Sequence, residues 1–95
     1  MLHSQDRLRI FCVAAEADSF RDAAARLGMS PQGVTRAVQE LEAHYGELLF
    51  HRTTRSVNIT DFGAKLAPRA RACLNQMDAV LAPASPQAAS EMVGR

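Results

Sequence analysis

Gln32, Thr35, Arg36 and Gln39 recur at a spacing that puts them on one side of a helix drawn over residues 31–45. The types are informative. Glutamine offers paired hydrogen bonds to adenine edges, arginine reaches guanine edges or phosphates, and threonine bonds phosphates. A helix that only had to be soluble would carry Glu and Lys there. Instead the first two turns hold uncharged hydrogen-bonding groups and one arginine, and the acids Glu40 and Glu42 come only in the later half. That gradient suits a helix entering the major groove of duplex DNA by its N-terminal end. The chemistry is recognition. His3, His44 and His51 show no spacing that would orient a base on a nucleophile or ligate a metal, and Cys12 and Cys73 stand in neither a CxxC nor a Cys/His pattern. No catalytic residue, no metal and no cofactor is expected.

The elements that position this face can be read from their punctuation. Ser4 is a fair N-cap with Asp6 in the first turn, and Leu8, Phe11, Cys12 and Ala15 follow at helical spacing, which predicts a structural helix at about 5–17. Ser19 and Asp22 fit a capping box that opens a second helix at about 20–27, with Phe20, Ala23, Ala24 and Leu27 on its inner side. Gly28 suits the left-handed residue that ends a helix. Ser30 and Pro31 then supply a cap and a first-turn proline for helix 3, at about 31–45. Two helices joined by a short glycine-bearing turn make a helix-turn-helix. Val34, Val38, Leu41 and Tyr45 are expected to form the buried stripe of helix 3, and Gly46 to end it.

After helix 3, Leu48, Leu49 and Phe50 would close the core. Val57 and Ile59 alternate with Ser56 and Asn58, a strand period, so residues 50–53 and 56–59 are expected to pair as a hairpin. Such a hairpin is a wing. Its tip, with Arg52, Thr53, Thr54 and Arg55, would reach phosphates or the minor groove. Thr60 caps a fourth helix with Asp61 in its first turn, and Phe62, Leu66, Cys73, Met77, Val80 and Leu81 form an apolar stripe out to about residue 82. At 1.5 Å per residue such a helix is roughly 30 Å long, more than the small core can cover, and a symmetric copy is the simplest partner. Pro68 should kink it without splitting it. Residues 83–95 are Pro-, Ala- and Ser-rich and read as a flexible tail or linker.

Ninety-five residues with 47% hydrophobic content bound the answer to one small domain. Abundant alanine with 5% aromatics favours closely packed helices. The net charge of +1 hides a distribution: between residues 51 and 71, Arg52, Arg55, Lys65, Arg69 and Arg71 face one acid, Asp61. Both cysteines fall in apolar stripes and read as buried free thiols of a reducing compartment. No leader is visible, and no apolar run approaches the roughly 20 residues of a membrane span.

These residues together resemble the DNA-binding domain of LysR-type transcriptional regulators. The matching pieces are LRIFCVAAEADSF, AAARLGMS, VTRAVQELE and LFHRTTRSVNITDFG, in the family's order and over about four-fifths of the chain. The resemblance implies a mainly α winged helix-turn-helix with a small two-stranded β wing and a long C-terminal linker helix. Residues 1–60 would be the DNA-binding unit, with the helix-turn-helix at about 20–39 and the wing at about 50–59. Residues 60–82 would be the linker and dimerisation helix, its interface made by Phe62, Leu66, Cys73, Met77, Val80 and Leu81. The resemblance also implies a cytoplasmic regulator that binds promoter DNA as a homodimer, with pairing into tetramers left open. Carried over by position, Ser30, Pro31, Gln32, Thr35, Arg36 and Gln39 would serve the recognition helix. Ser30 and Thr35 would touch phosphates, Arg36 would be the principal arginine, and Arg52, Thr53 and Arg55 would serve the wing. The chain departs from the family's pattern at Pro31, Gln32 and Gly33. A small-molecule effector is implied only for a further C-terminal domain, which residues 92–95 would begin. A winged module that binds protein instead of DNA is the rival reading, separable by salt dependence.

Overall fold

The computed structural model describes residues 4–53 and 56–83. Six elements follow in order: α1 (Ser4–Glu16), α2 (Phe20–Leu27), α3 (Pro31–Tyr45), β1 (Phe50–Arg52), β2 (Val57–Ile59) and α4 (Asp61–Leu81). Helix 1 packs against each of the other three helices, and the strands form one antiparallel pair with Phe50 opposite Ile59 and Arg52 opposite Val57. The fold is a mainly α winged helix-turn-helix.

The cap signals act as their chemistry requires. The Ser19 Oγ accepts from the Asp22 amide at 3.0 Å, Ser30 Oγ from Gly33 at 3.1 Å, and Thr60 Oγ1 from Gly63 at 3.0 Å. The Asp22 carboxylate reaches back one residue further than expected, to the Asp18 amide at 3.3 Å. Gly28 and Gly46 close α2 and α3 with φ of 68° and 70°, a backbone region that disfavours a Cβ. Pro68 lies inside α4, which runs through it as one helix.

The core is built on Phe11, Val34, Val38, Leu49 and Leu74, all fully buried. Phe50 enters from β1 and meets the Phe11 and Phe20 rings edge to face at 5.7 and 5.2 Å. Three surface ion pairs stitch α1 to its neighbours: Arg7 to Glu40 at 2.7 Å, Arg9 to Asp78 at 2.8 Å and Arg71 to Glu16 at 2.9 Å.

Several expected positions differ. Tyr45 is not part of the buried stripe of α3. It is partly exposed, with its ring edge to face on Phe62 at 5.4 Å, because the C-terminal turn of α3 has outrun the core. Leu48 is exposed as well, so only Leu49 and Phe50 close the core. Cys73 is exposed, whereas Cys12 is buried, and both are free thiols. The reason is rotational. The inner face of α4 consists of Gly63, Ala70 and Leu74, and Cys73 lies about 100° away from Leu74.

Candidate nucleic-acid interface

Helix 3 has a pinned side and an open side. Val34, Ala37, Val38 and Leu41 are buried in the core. That fixes the rotation of the helix and turns Gln32, Arg36 and Gln39 fully outward, with Thr35 half-buried between them. Pro31, Gln32, Thr35, Arg36 and Gln39 together line one shallow, open hollow of about 350 Å³. Arg36 makes no ion pair among the described residues. Its guanidinium is therefore an uncommitted five-donor fork on an exposed helix face. Glu40, the nearest acid on the same helix, is tethered to Arg7 and drawn toward α1. Ser30 is exposed at the start of the helix, with its Oγ engaged by the Gly33 amide.

The wing residues are arranged otherwise than the sequence suggests. Arg52 does not stand at a free tip. Its guanidinium lies over the Phe20 ring, 5.5 Å from the centroid, and its Nη2 is 3.7 Å from the Glu42 Oε1. Thr53 is occupied in the turn. Its amide donates to the Ser56 carbonyl at 2.8 Å, and its Oγ1 accepts from the Ser56 amide at 3.0 Å. Thr54 and Arg55 lie outside the described residues.

Glu42 is the residue that sequence reasoning misassigned. It is no solvent-facing acid of the late helix but a buried carboxylate. Its Oε2 accepts from the backbone amides of Leu49 at 2.8 Å and Phe50 at 3.4 Å. A signal was available: Glu42 is one turn from Val38 and adjoins Leu41 on the core side.

The basic flank is also smaller than its sequence suggests, since Arg71 is paired with Glu16 and Arg52 faces Glu42. Lys65 and Arg69 stay unpaired among the described residues and border an open hollow of about 520 Å³ lined by Leu8, Tyr45, Phe62, Leu66 and Ala70. Of the expected interface residues on α4, Phe62 and Leu66 are thus half-buried beside the core. Cys73, Met77, Val80 and Leu81 line a separate open hollow further along the helix. No group of three His, Cys, Asp or Glu side chains close enough to hold a metal occurs among the described residues. Nor is any described helix long and apolar enough to cross a membrane.

Residues 5–64 match the family described as bacterial regulatory helix-turn-helix protein, lysR family. The chain is 40% identical over 81 residues to the uncharacterized HTH-type transcriptional regulator YfeR of Shigella flexneri, covering 85% of this chain and 26% of that protein. It therefore spans about a quarter of the length of that relative. Among solved structures, the DNA-binding domain of CbnR in complex with DNA is 30% identical, with a TM-score of 0.77 over 96% of this chain and 98% of that one. The BenM DNA-binding domain in complex with the catB site 1 DNA is 30% identical, with a TM-score of 0.76 over 81% of this chain and 83% of that one.

Proposed function

The chain belongs to the LysR family of bacterial regulatory helix-turn-helix proteins, and from that premise we propose that it binds promoter DNA sequence-specifically, with α3 as the reading helix in the major groove. The observation that carries the reading is the outward face of α3, where Gln32, Thr35, Arg36 and Gln39 share one open hollow and Arg36 has no partner among the described residues. Arginine and glutamine supply the paired donors and acceptors that base edges require. Pro31 and Ser30 sit at the N-terminus of α3, whose dipole favours a phosphate. The wing flanks the groove contact and meets backbone or minor groove beside it. Such a protein regulates transcription in the bacterial cytoplasm.

The same reading includes a homodimer through α4. The two open hollows lie at opposite ends of this helix: Phe62, Leu66 and Ala70 border one, and Cys73, Met77, Val80 and Leu81 the other. An antiparallel copy would seat the Val80 and Leu81 end of each chain in the Phe62 and Leu66 hollow of the other, burying two exposed apolar ends at once. Val80 is 82% exposed and Leu81 66% exposed without such cover. Any further domain would be the seat of small-molecule control and of association into tetramers.

Selection of bound duplexes from a random library tests the reading. Two related half-sites separated by one or more helical turns are the expected result. Affinity for the selected duplex should also fall steeply with salt through counterion release. A selection that enriches nothing, or binding indifferent to salt, would sink it in favour of a protein-interaction module.

A further inference from the structure

We propose that Glu42 and Arg52 are positioning residues that fasten the wing to the reading helix, so that Arg52 sets the wing's place on DNA without touching DNA itself. The inference rests on the reading above, in which the wing contacts DNA flanking the α3 site.

Four linked contacts converge on one junction. Glu42, on the core side of α3, holds the start of β1 by accepting from the Leu49 and Phe50 amides with a single oxygen, Oε2. Its other oxygen, Oε1, is left to face the Arg52 guanidinium at 3.7 Å. Arg52 is the last residue of β1, and its guanidinium covers the ring of Phe20, the first residue of α2. Phe20 in turn packs on Phe50. The first wing strand is thereby tied to both helices of the helix-turn-helix, at its beginning by hydrogen bonds and at its end by charge and stacking. A buried carboxylate accepting two amides tolerates little movement, because an amide that lost it would be stranded without a partner. The tie therefore fixes the distance between the end of β1 and Arg36 before DNA arrives. A preformed spacing removes an ordering cost from binding. It also makes the flank contact conditional on the same geometry as the groove contact.

The test uses the 95-residue chain and the duplex recovered by the selection above. Three variants are compared with the parent: Glu42→Gln, Arg52→Met and the double substitution. Glutamine keeps an oxygen for the backbone amides and turns an uncharged NH2 donor toward Arg52 in place of the charged oxygen. Hydroxyl-radical footprinting reads protection of the flank, dimethyl sulfate protection of guanine N7 reads the major groove, and circular dichroism reports the fold. Each single variant should lose flank protection while keeping protection in the groove. Affinity should drop roughly tenfold in each, and the double variant should fall no further, since both act through one tie. Glu42→Gln is the decisive member. If Arg52 touched DNA directly, freeing it from Glu42 would leave flank protection intact or strengthen it, and that result overturns the proposal. Should Glu42→Gln not fold, the salt slope of Arg52→Met decides. A fall equal to the whole wing's phosphate contacts supports positioning, and a fall of about one contact overturns it. A parent chain that shows no flank protection would refute the wing reading itself, before any substitution is made.

Discussion

Gly63 and Leu49 approach so closely that a Cβ on Gly63 would lie 2.5 Å from the Leu49 carbonyl oxygen and 2.8 Å from the Ile59 Cγ1. The first turn of α4 is thus laid directly on backbone at the base of the wing. Backbone cannot step aside as a flexible side chain can. Gly63→Ala should therefore destabilise the fold by about 1–3 kcal/mol, the usual cost of forcing extra atoms into a packed site. Urea unfolding measures it, and an unchanged midpoint would show that the junction can spread.

Gly33 invites the opposite outcome. A Cβ there would meet only the terminal methyl of Met29 at 2.7 Å and the Ser30 Oγ at 3.4 Å. The Met29 end can swing away, and alanine favours a helix over glycine by up to about 1 kcal/mol. Gly33→Ala should raise the unfolding midpoint. A lowered midpoint would mean that Met29 has no alternative place.

Arg36 has no partner to lose among the described residues. Arg36→Ala should leave stability unchanged and remove about 1–3 kcal/mol of binding to the selected duplex, with relaxed selectivity at one base position. Fluorescence anisotropy on the selected and a scrambled duplex separates the two effects. Equal affinities for parent and variant would take Arg36 out of the site.

Met77→Asp puts a charge among Cys73, Val80 and Leu81. It should shift the chain toward monomer in sedimentation velocity, because an unpaired charge is costly in an apolar interface. Thiol reactivity offers an independent readout. Burial pushes the Cys12 thiol above its ordinary pKa, only partly offset by the Arg71 charge, so Cys12 should resist alkylation until unfolding. Cys73 should react in the native chain, more slowly as concentration favours the dimer and quickly in the Met77→Asp variant. Cys73 labelling that ignores concentration would contradict the α4 interface.

Acid should loosen the α1–α4 junction. The side-chain hydrogen bond from Arg9 holds the Asp78 carboxyl below the usual aspartate range. Since the folded pKa is the lower one, the pair stabilises fully above the unfolded pKa of about 3.9 and the benefit disappears as pH falls through the folded value. The difference in melting temperature between the parent and Asp78→Asn should accordingly be present at neutral pH and vanish in strong acid. A constant difference across that window would assign the effect to something other than charge.

Much of this fold was legible because its boundaries are written in local chemistry. Ser19, Ser30 and Thr60 each cap the helix they precede, and Gly28 and Gly46 stop the helices they follow. Those interactions involve residues within a turn of each other, so neighbours in sequence suffice to reveal them. The outward side of α3 was legible for a related reason: Val34, Val38 and Leu41 of its expected stripe are buried and fix its rotation, although Tyr45 is not. Position on a helix says less about partners distant in the chain. Arg52 looked like a wing-tip cation until Glu42 and Phe20 came within its reach. On α4, apolar residues occupy more than one face, so spacing alone did not separate Ala70 and Leu74, which belong to the core, from Cys73 and Met77, which do not. Nor does a sequence reveal that the Leu49 carbonyl passes under Gly63.

Arg7, Arg9, Arg26, Arg52 and Arg71 each face a carboxylate of their own chain. With five of its eleven cations so engaged, the chain offers a polyanion less general attraction than its composition suggests, and its grip on arbitrary duplex should be weaker and briefer than that composition implies. It would sample the chromosome by frequent release rather than long sliding, and dwell only where the bases themselves give it reason to stay.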